Sequence, residues 1–61
     1  MRQIKDFGMP SIGAKIVADT YGTVGEKTIF VSVNCELSQR DTAGLINALI
    51  TALEWLKEVP K

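Results

Sequence analysis

The sequence predicts an α+β fold in which an antiparallel β-hairpin packs against one C-terminal amphipathic helix, in the order ββα. Two segments of alternating apolar and polar residues, joined by a glycine-containing loop, predict the hairpin. A later segment with apolar residues at helical spacing predicts the helix. A chain of 61 residues is long enough for one domain only, so residues 1–61 are expected to form a single unit.

The first segment, residues 1–11, allows two interpretations. Ile4 and Phe7 are three positions apart, a spacing that fits the strand period poorly and predicts no helix by itself. Pro10 favours extended backbone at Met9 and marks a break in the chain. The segment is therefore either an arm lying over the domain or a partner subunit, or a third strand at the edge of the hairpin.

The hairpin is predicted over residues 12–37. Its inward side chains are Ile12, Ala14, Ile16 and Ala18 on the first strand and Ile29, Val31, Val33, Cys35 and Leu37 on the second. A four-residue loop pairs Tyr21 with Glu26, which places Ile16 opposite Val31. A shift by one residue would place inward side chains opposite outward ones, so this register is the one we predict.

Residues 38–59 are predicted to carry the helix, with its turns over 39–58. Ser38 followed by Asp41 is a capping pattern, and Pro60 ends the helix. At 100° per residue the apolar side chains cover an arc of roughly 220°, which is wider than a small sheet can bury. The surplus predicts a homodimer or higher oligomer. The residues assigned to that interface are Ile46, Ile50, Leu53 and Trp55.

The cysteine and histidine content excludes several kinds of site. Cys35 is the only cysteine and the chain has no histidine, so neither an intrachain disulfide nor a Cys/His metal site can form. The strand period places Cys35 on the inward face, where it would act as a small apolar side chain. We therefore predict no catalytic residue, no metal and no cofactor.

Charge and hydropathy bear on location and on partners. Seven Lys and Arg residues balance seven Asp and Glu residues, which argues against strong electrostatic binding to nucleic acid or anionic lipid. No segment approaches the run of about 20 apolar residues that spans a membrane, and the first residues contain no apolar targeting segment. We expect a cytoplasmic protein without a membrane partner.

The outward face of the hairpin carries a small apolar and aromatic stripe. Val17, Tyr21 and Phe30 form it, and Lys15 lies beside it. We assign these four residues to a partner-binding surface. Two alternatives stay open, since the N-terminal segment could cover the stripe or the aromatic rings could stack on nucleotide bases.

A second set of residues could contact phosphate. Gly22 and Gly25 bracket the hairpin loop in a G-x-x-G pattern, and Lys27 and Arg40 are nearby cations. In nucleic-acid-binding domains that use this pattern the loop joins two helices, whereas here it joins two strands. A glycine-bracketed turn is the simpler explanation.

These observations favour a non-enzymatic protein-binding module, such as an adaptor, inhibitor or regulator, that acts as a homo-oligomer. The alternative is a nucleic-acid or nucleotide-phosphate binding protein that uses a groove between two subunits. A third hypothesis is an enzyme with a site between subunits. That site would depend on carboxylates, lysines and Tyr21, because there is no histidine to act as a base.

Overall fold

The computed structural model describes residues 2–21 and 26–59. Its elements are strand β1 (Ile4–Asp6), a short 3-10 turn (Pro10–Ile12), strand β2 (Ala14–Asp19), strand β3 (Thr28–Val33) and helix α1 (Gln39–Glu58). The three strands form one antiparallel sheet in the order β1-β2-β3. The α+β prediction is confirmed, and the predicted oligomer stays a prediction.

The register of the hairpin is the predicted one. Ile16 pairs with Val31 and Val17 pairs with Phe30 across β2 and β3. Both strands are shorter than the predicted span 12–37. The first begins late because the 3-10 turn is followed by Gly13 in the left-handed region, with φ of 68°. Any side chain at that φ would be strained, so the turn needs a glycine there.

The prediction that Cys35 is buried is wrong. β3 ends at Val33, so the strand period no longer decides which way the Cys35 side chain points. The thiol is exposed, and its Sγ donates a hydrogen bond to the carbonyl oxygen of Ile12 at 3.0 Å. The predicted neighbourhood of Ile12 and Cys35 is kept, although neither residue belongs to a strand.

The N-terminal segment takes the second of its two interpretations and forms an edge strand. The Phe7 N–H donates to the Ile16 carbonyl oxygen at 2.8 Å, and the Thr20 N–H donates to the Gln3 carbonyl oxygen at 3.0 Å. Phe7 therefore lies on the helix side of the sheet, where its ring meets Trp55 edge-on at 5.9 Å. The segment extends the sheet instead of covering the outward stripe.

The helix has the predicted ends. The Ser38 Oγ accepts a hydrogen bond from the Asp41 N–H at 3.1 Å, which satisfies one of the first free amides of the helix. At the other end, the Val59 N–H donates to the Trp55 carbonyl oxygen at 3.1 Å. The helix runs from Gln39 to Glu58, as predicted.

Helix α1 packs mainly over β2, the central strand. The buried apolar residues of the described ranges are Ala14, Ile16, Ala18, Ala52, Leu56 and Val59. Half of them are alanines, which let the helix backbone approach β2 closely because they have no atoms beyond Cβ. Ile16 is the one large side chain there that is almost fully enclosed. The core is therefore narrow and centred on one strand.

Candidate interaction site

The face of the sheet that points away from the helix is the first candidate site. The register places Val17 and Phe30 side by side on it, with Lys15 and Ser32 as the next pair along. The Phe30 side chain is 59% exposed. The register places Val17, Phe30 and Lys15 on this face as the strand period predicts, whereas Tyr21 lies beyond the end of β2. The role of these residues in partner binding stays a prediction.

A shallow depression lies beside Phe30. It has a volume of about 280 Å³ and is lined by Val17, Asp19, Thr28, Ile29 and Phe30. Its walls are apolar along Val17 and Phe30, and Asp19 supplies a carboxylate at one end. Such a depression can accept one apolar side chain from a partner.

Asp19 lies at the loop end of this face, and Tyr21 follows two residues after the end of β2. Tyr21 is partly exposed, and its backbone N–H donates a hydrogen bond to the Asp19 Oδ1 at 2.9 Å. Asp19 also accepts from Arg2, whose guanidinium nitrogens lie 3.2 Å and 2.6 Å from the two carboxylate oxygens. The hydrogen bonds from Arg2, and then the one from the Tyr21 N–H, hold the pKa of Asp19 below its usual range.

Sequence reasoning missed two residues of this face. Ile4 pairs with Asp19, so it lies on the same side of the sheet as Val17 and is more than half exposed. Arg2 reaches the same place through its ion pair. Both assignments require β1 to be paired with β2, and a three-residue strand gives too little alternation to predict that pairing.

The exposed side of helix α1 is the second candidate site. Ile46, Ile50 and Leu53 are 51%, 49% and 47% exposed. Trp55, the fourth residue of the predicted interface, lies apart from them because its ring packs against Phe7 within the chain. The remaining three stay candidates for an interface.

The four residues of the phosphate alternative do not meet in one place. Lys27 donates through Nζ to the carbonyl oxygens of Leu56 and Val59, at 2.7 Å and 3.2 Å, which places it at the C-terminal end of the helix. Arg40 lies in the first helical turn, about 24 Å away along the axis at 1.5 Å per residue. Gly22 and Gly25 lie outside the described residues.

The ionisable side chains form no further site in the part of the chain that the structure describes. Within 2–21 and 26–59, no group of three or more His, Cys, Asp or Glu side chains is placed to hold a metal ion.

In the same part of the chain, no helix combines the length and the apolar character that crossing a membrane requires.

Comparison of the chain with protein-family models, with curated proteins and with solved structures found no match.

Proposed function

We propose that the protein is a non-enzymatic protein-binding module that acts as a homo-oligomer and recognises its partner with the outer face of its sheet. The observation that carries this proposal is the exposed Phe30 ring beside the depression shared with Val17. Exposed aromatic anchors next to a depression are typical of the centre of a protein interface. No described segment covers this face, since the N-terminal strand lies beside it in the sheet.

The charges around the depression suggest the chemistry of the partner. Asp19 is already paired with Arg2. Lys15 makes no ion pair within the described residues and lies about 7 Å from Val17 along the same face, two residues apart on a strand. A partner segment that inserts one apolar side chain beside Phe30 and places a carboxylate near Lys15 fits both features.

The test is reconstitution with purified components. A protein that co-purifies with the tagged chain from its native cells is produced separately, and its dissociation constant for the chain is measured by calorimetry. Replacing Phe30 by Ser is expected to weaken binding by about 30-fold or more, because truncating a central aromatic anchor removes 2 kcal/mol or more. Lys15→Gln is expected to lower mainly the association rate and its dependence on salt.

The matched control is Glu54→Ser, which removes an exposed side chain from the polar side of the helix, away from both the sheet face and the predicted oligomer interface. It is expected to leave the affinity for the partner unchanged. The proposal fails if no isolated protein binds the chain directly, or if Phe30→Ser binds as tightly as the unaltered chain. Binding only to nucleic acid, with steep loss of affinity as salt rises, would favour the phosphate alternative instead.

A further inference from the structure

The direction of the backbone groups along β3 is fixed by the hydrogen bonds of the neighbouring strand. Ile16 and Thr20 direct their backbone groups toward β1, since Phe7 bonds to the first and Gln3 to the second. Neighbouring residues of a strand direct these groups to opposite sides, so the odd-numbered residues of β2 face β3. Their partners on β3 are the even-numbered residues. The odd-numbered ones, Ile29, Val31 and Val33, direct N–H and C=O groups toward the far edge.

That far edge is open within the described residues. The sheet ends at β3, and no other described strand pairs with it. The Val31 side chain lies on the helix side of the sheet yet is 44% exposed, because the helix is centred over β2. β3 contains no charged residue and no proline, and its pairing with β2 is continuous over all six residues. It therefore lacks the features that usually prevent edge strands from pairing.

The exposed side of helix α1 lies above the same edge. Ala52 faces β2. Trp55 lies about 60° to one side of Ala52 around the helix, toward Phe7 and β1. Leu53 lies about 100° to the other side, toward β3, and Ile46 lies close to Leu53 in this projection. The open strand and the exposed helix side thus form one continuous apolar wall.

We propose that a second copy of this chain docks on this wall, with β3 pairing antiparallel to the partner's β3 about a two-fold axis at Val31. Val31 then faces the partner's Val31, Ile29 faces the partner's Val33, and Val33 faces the partner's Ile29. All three pairs join residues whose backbone groups already point outward, so each pair can exchange two hydrogen bonds. Two three-stranded sheets become one six-stranded sheet with both helices on the same side.

The size of the wall fits a weak dimer that dissociates on dilution. Six residues of strand are about 20 Å long, and the sheet with the helix above it is about 20 Å high. The flat footprint is then about 400 Å² on each subunit, and the accessible surface it covers is larger because the wall is uneven. Two flat footprints amount to about 800 Å², so the buried surface comes close to the roughly 1,000 Å² at which specific interfaces begin.

The inference specifies the homo-oligomeric part of the proposed function, and it is tested without any other partner. The mass of the purified chain is measured by light scattering and sedimentation over a range of concentrations. We expect a dimer that dissociates on dilution. Val31→Lys places a charge in the centre of the wall and is expected to weaken the dimer by about 30-fold or more. Ile4→Lys adds the same charge to the opposite edge and is expected to have no effect.

Disulfide cross-linking tests the register and does not depend on how well Val31→Lys folds. In a Cys35→Ser background, Val31→Cys places two thiols on residues whose Cα atoms are about 5.5 Å apart, within disulfide range. Val33→Cys places them about 14 Å apart, because the two residues are offset by four positions along neighbouring strands. Under mild oxidation we expect Val31→Cys to form a covalent dimer, and we expect Val33→Cys and Ile4→Cys to form no covalent link between subunits. A chain that is monomeric at every concentration, or equal cross-linking at 31 and 33, would overturn the proposal.

Discussion

The two edges of the sheet are built differently, although they flank the same central strand. β1 has three residues, two of which are the charged Lys5 and Asp6, and the Arg2–Asp19 ion pair lies across its end. Beneath it, the Phe7 and Trp55 rings close the gap to the helix. β3 has six uncharged residues, and the helix leaves its inner face partly open. The β1 edge therefore has the charges typical of a solvent-exposed surface, whereas the β3 edge has the apolar composition typical of an interface.

The largest expected difference in unfolding free energy lies between Trp55, on the closed side of the fold near β1, and Leu53, on the open side near β3. Both are replaced by Ala in a Val31→Lys background, where we expect a monomer, and unfolding is followed in urea. Trp55→Ala is expected to cost about 3 kcal/mol, because the partly buried indole contacts Phe7. Leu53→Ala is expected to cost less than about 1 kcal/mol, since roughly half of that side chain is exposed. Equal costs would mean that the two sides are packed alike.

Two glycines on the closed side provide the next test. A Cβ at Gly8 would lie 2.9 Å from the Asp6 Oδ1 and 3.1 Å from the Ala14 carbonyl oxygen, which is backbone and cannot move easily. We expect Gly8→Ala to lower the free energy of unfolding by about 1–2 kcal/mol.

Gly44→Ala is the matched control for Gly8→Ala. A Cβ there would meet only the flexible end of Met9, at 3.1 Å from its Cε. Alanine also favours the helix over glycine, so a gain of about 0.5 kcal/mol is expected in thermal or urea unfolding. A loss at Gly44 as large as that at Gly8 would show that Met9 is held rigidly against the helix.

Amide hydrogen exchange, measured by NMR, compares the edges residue by residue. The edge amides of Ile29 and Val33 are expected to exchange at least about tenfold more slowly in the unaltered chain than in Val31→Ser. The Phe30 amide, which bonds to β2, is expected to be protected in both. On β1, Ile4 is expected to exchange fast in both. Fast exchange at Ile29 and Val33 in the concentrated unaltered chain would contradict edge pairing.

The smallest effect is expected at the Arg2–Asp19 ion pair, which lies at the end of β1. Arg2→Gln is expected to raise the pKa of Asp19 toward its ordinary value of 3.8, because the hydrogen bonds from the guanidinium to its carboxylate are lost. Since the folded-state pKa is lowered, the pair stabilises the fold above that ordinary value and loses its effect as the pH falls through the folded-state pKa. NMR titration of the Asp19 carboxyl carbon measures the shift. An unchanged pKa would mean that the Tyr21 N–H alone sets it.

The alternation of β2 and β3 and the capping residues of the helix contained enough information to predict the register and both helix ends. They did not contain the position of the helix across the sheet. A period of two says which side chains share a face, and it does not say which strand the helix covers. The alanines at 14, 18 and 52 decide this by allowing close approach over β2, and their effect depends on both surfaces together. This is why Val31 was expected inside and is partly exposed.

The pairing of the first strand was open for a related reason. Three residues of β1 have too little pattern to predict an edge strand, and it is held by contacts with residues far along the chain, such as Gln3 with Thr20. The prediction for Cys35 is wrong because the alternation continues to Leu37 in the sequence, four residues beyond the end of β3 at Val33. The sequence predicted which residues belong to the outer sheet face and to the exposed helix side. It did not predict that the exposed helix side lies above the open edge of β3.

The alternation of β3 has a consequence for how this protein can change by mutation. Its odd-numbered side chains lie on the helix side, where a second copy is proposed to dock, and its even-numbered side chains lie on the opposite face with Phe30. The two sets can therefore vary independently, although they are interleaved within six residues. A duplicated copy of the chain could acquire a new partner through positions 28, 30 and 32 and still assemble with the original. Changes at 29, 31 and 33 would instead separate the two copies into distinct assemblies with the same binding face.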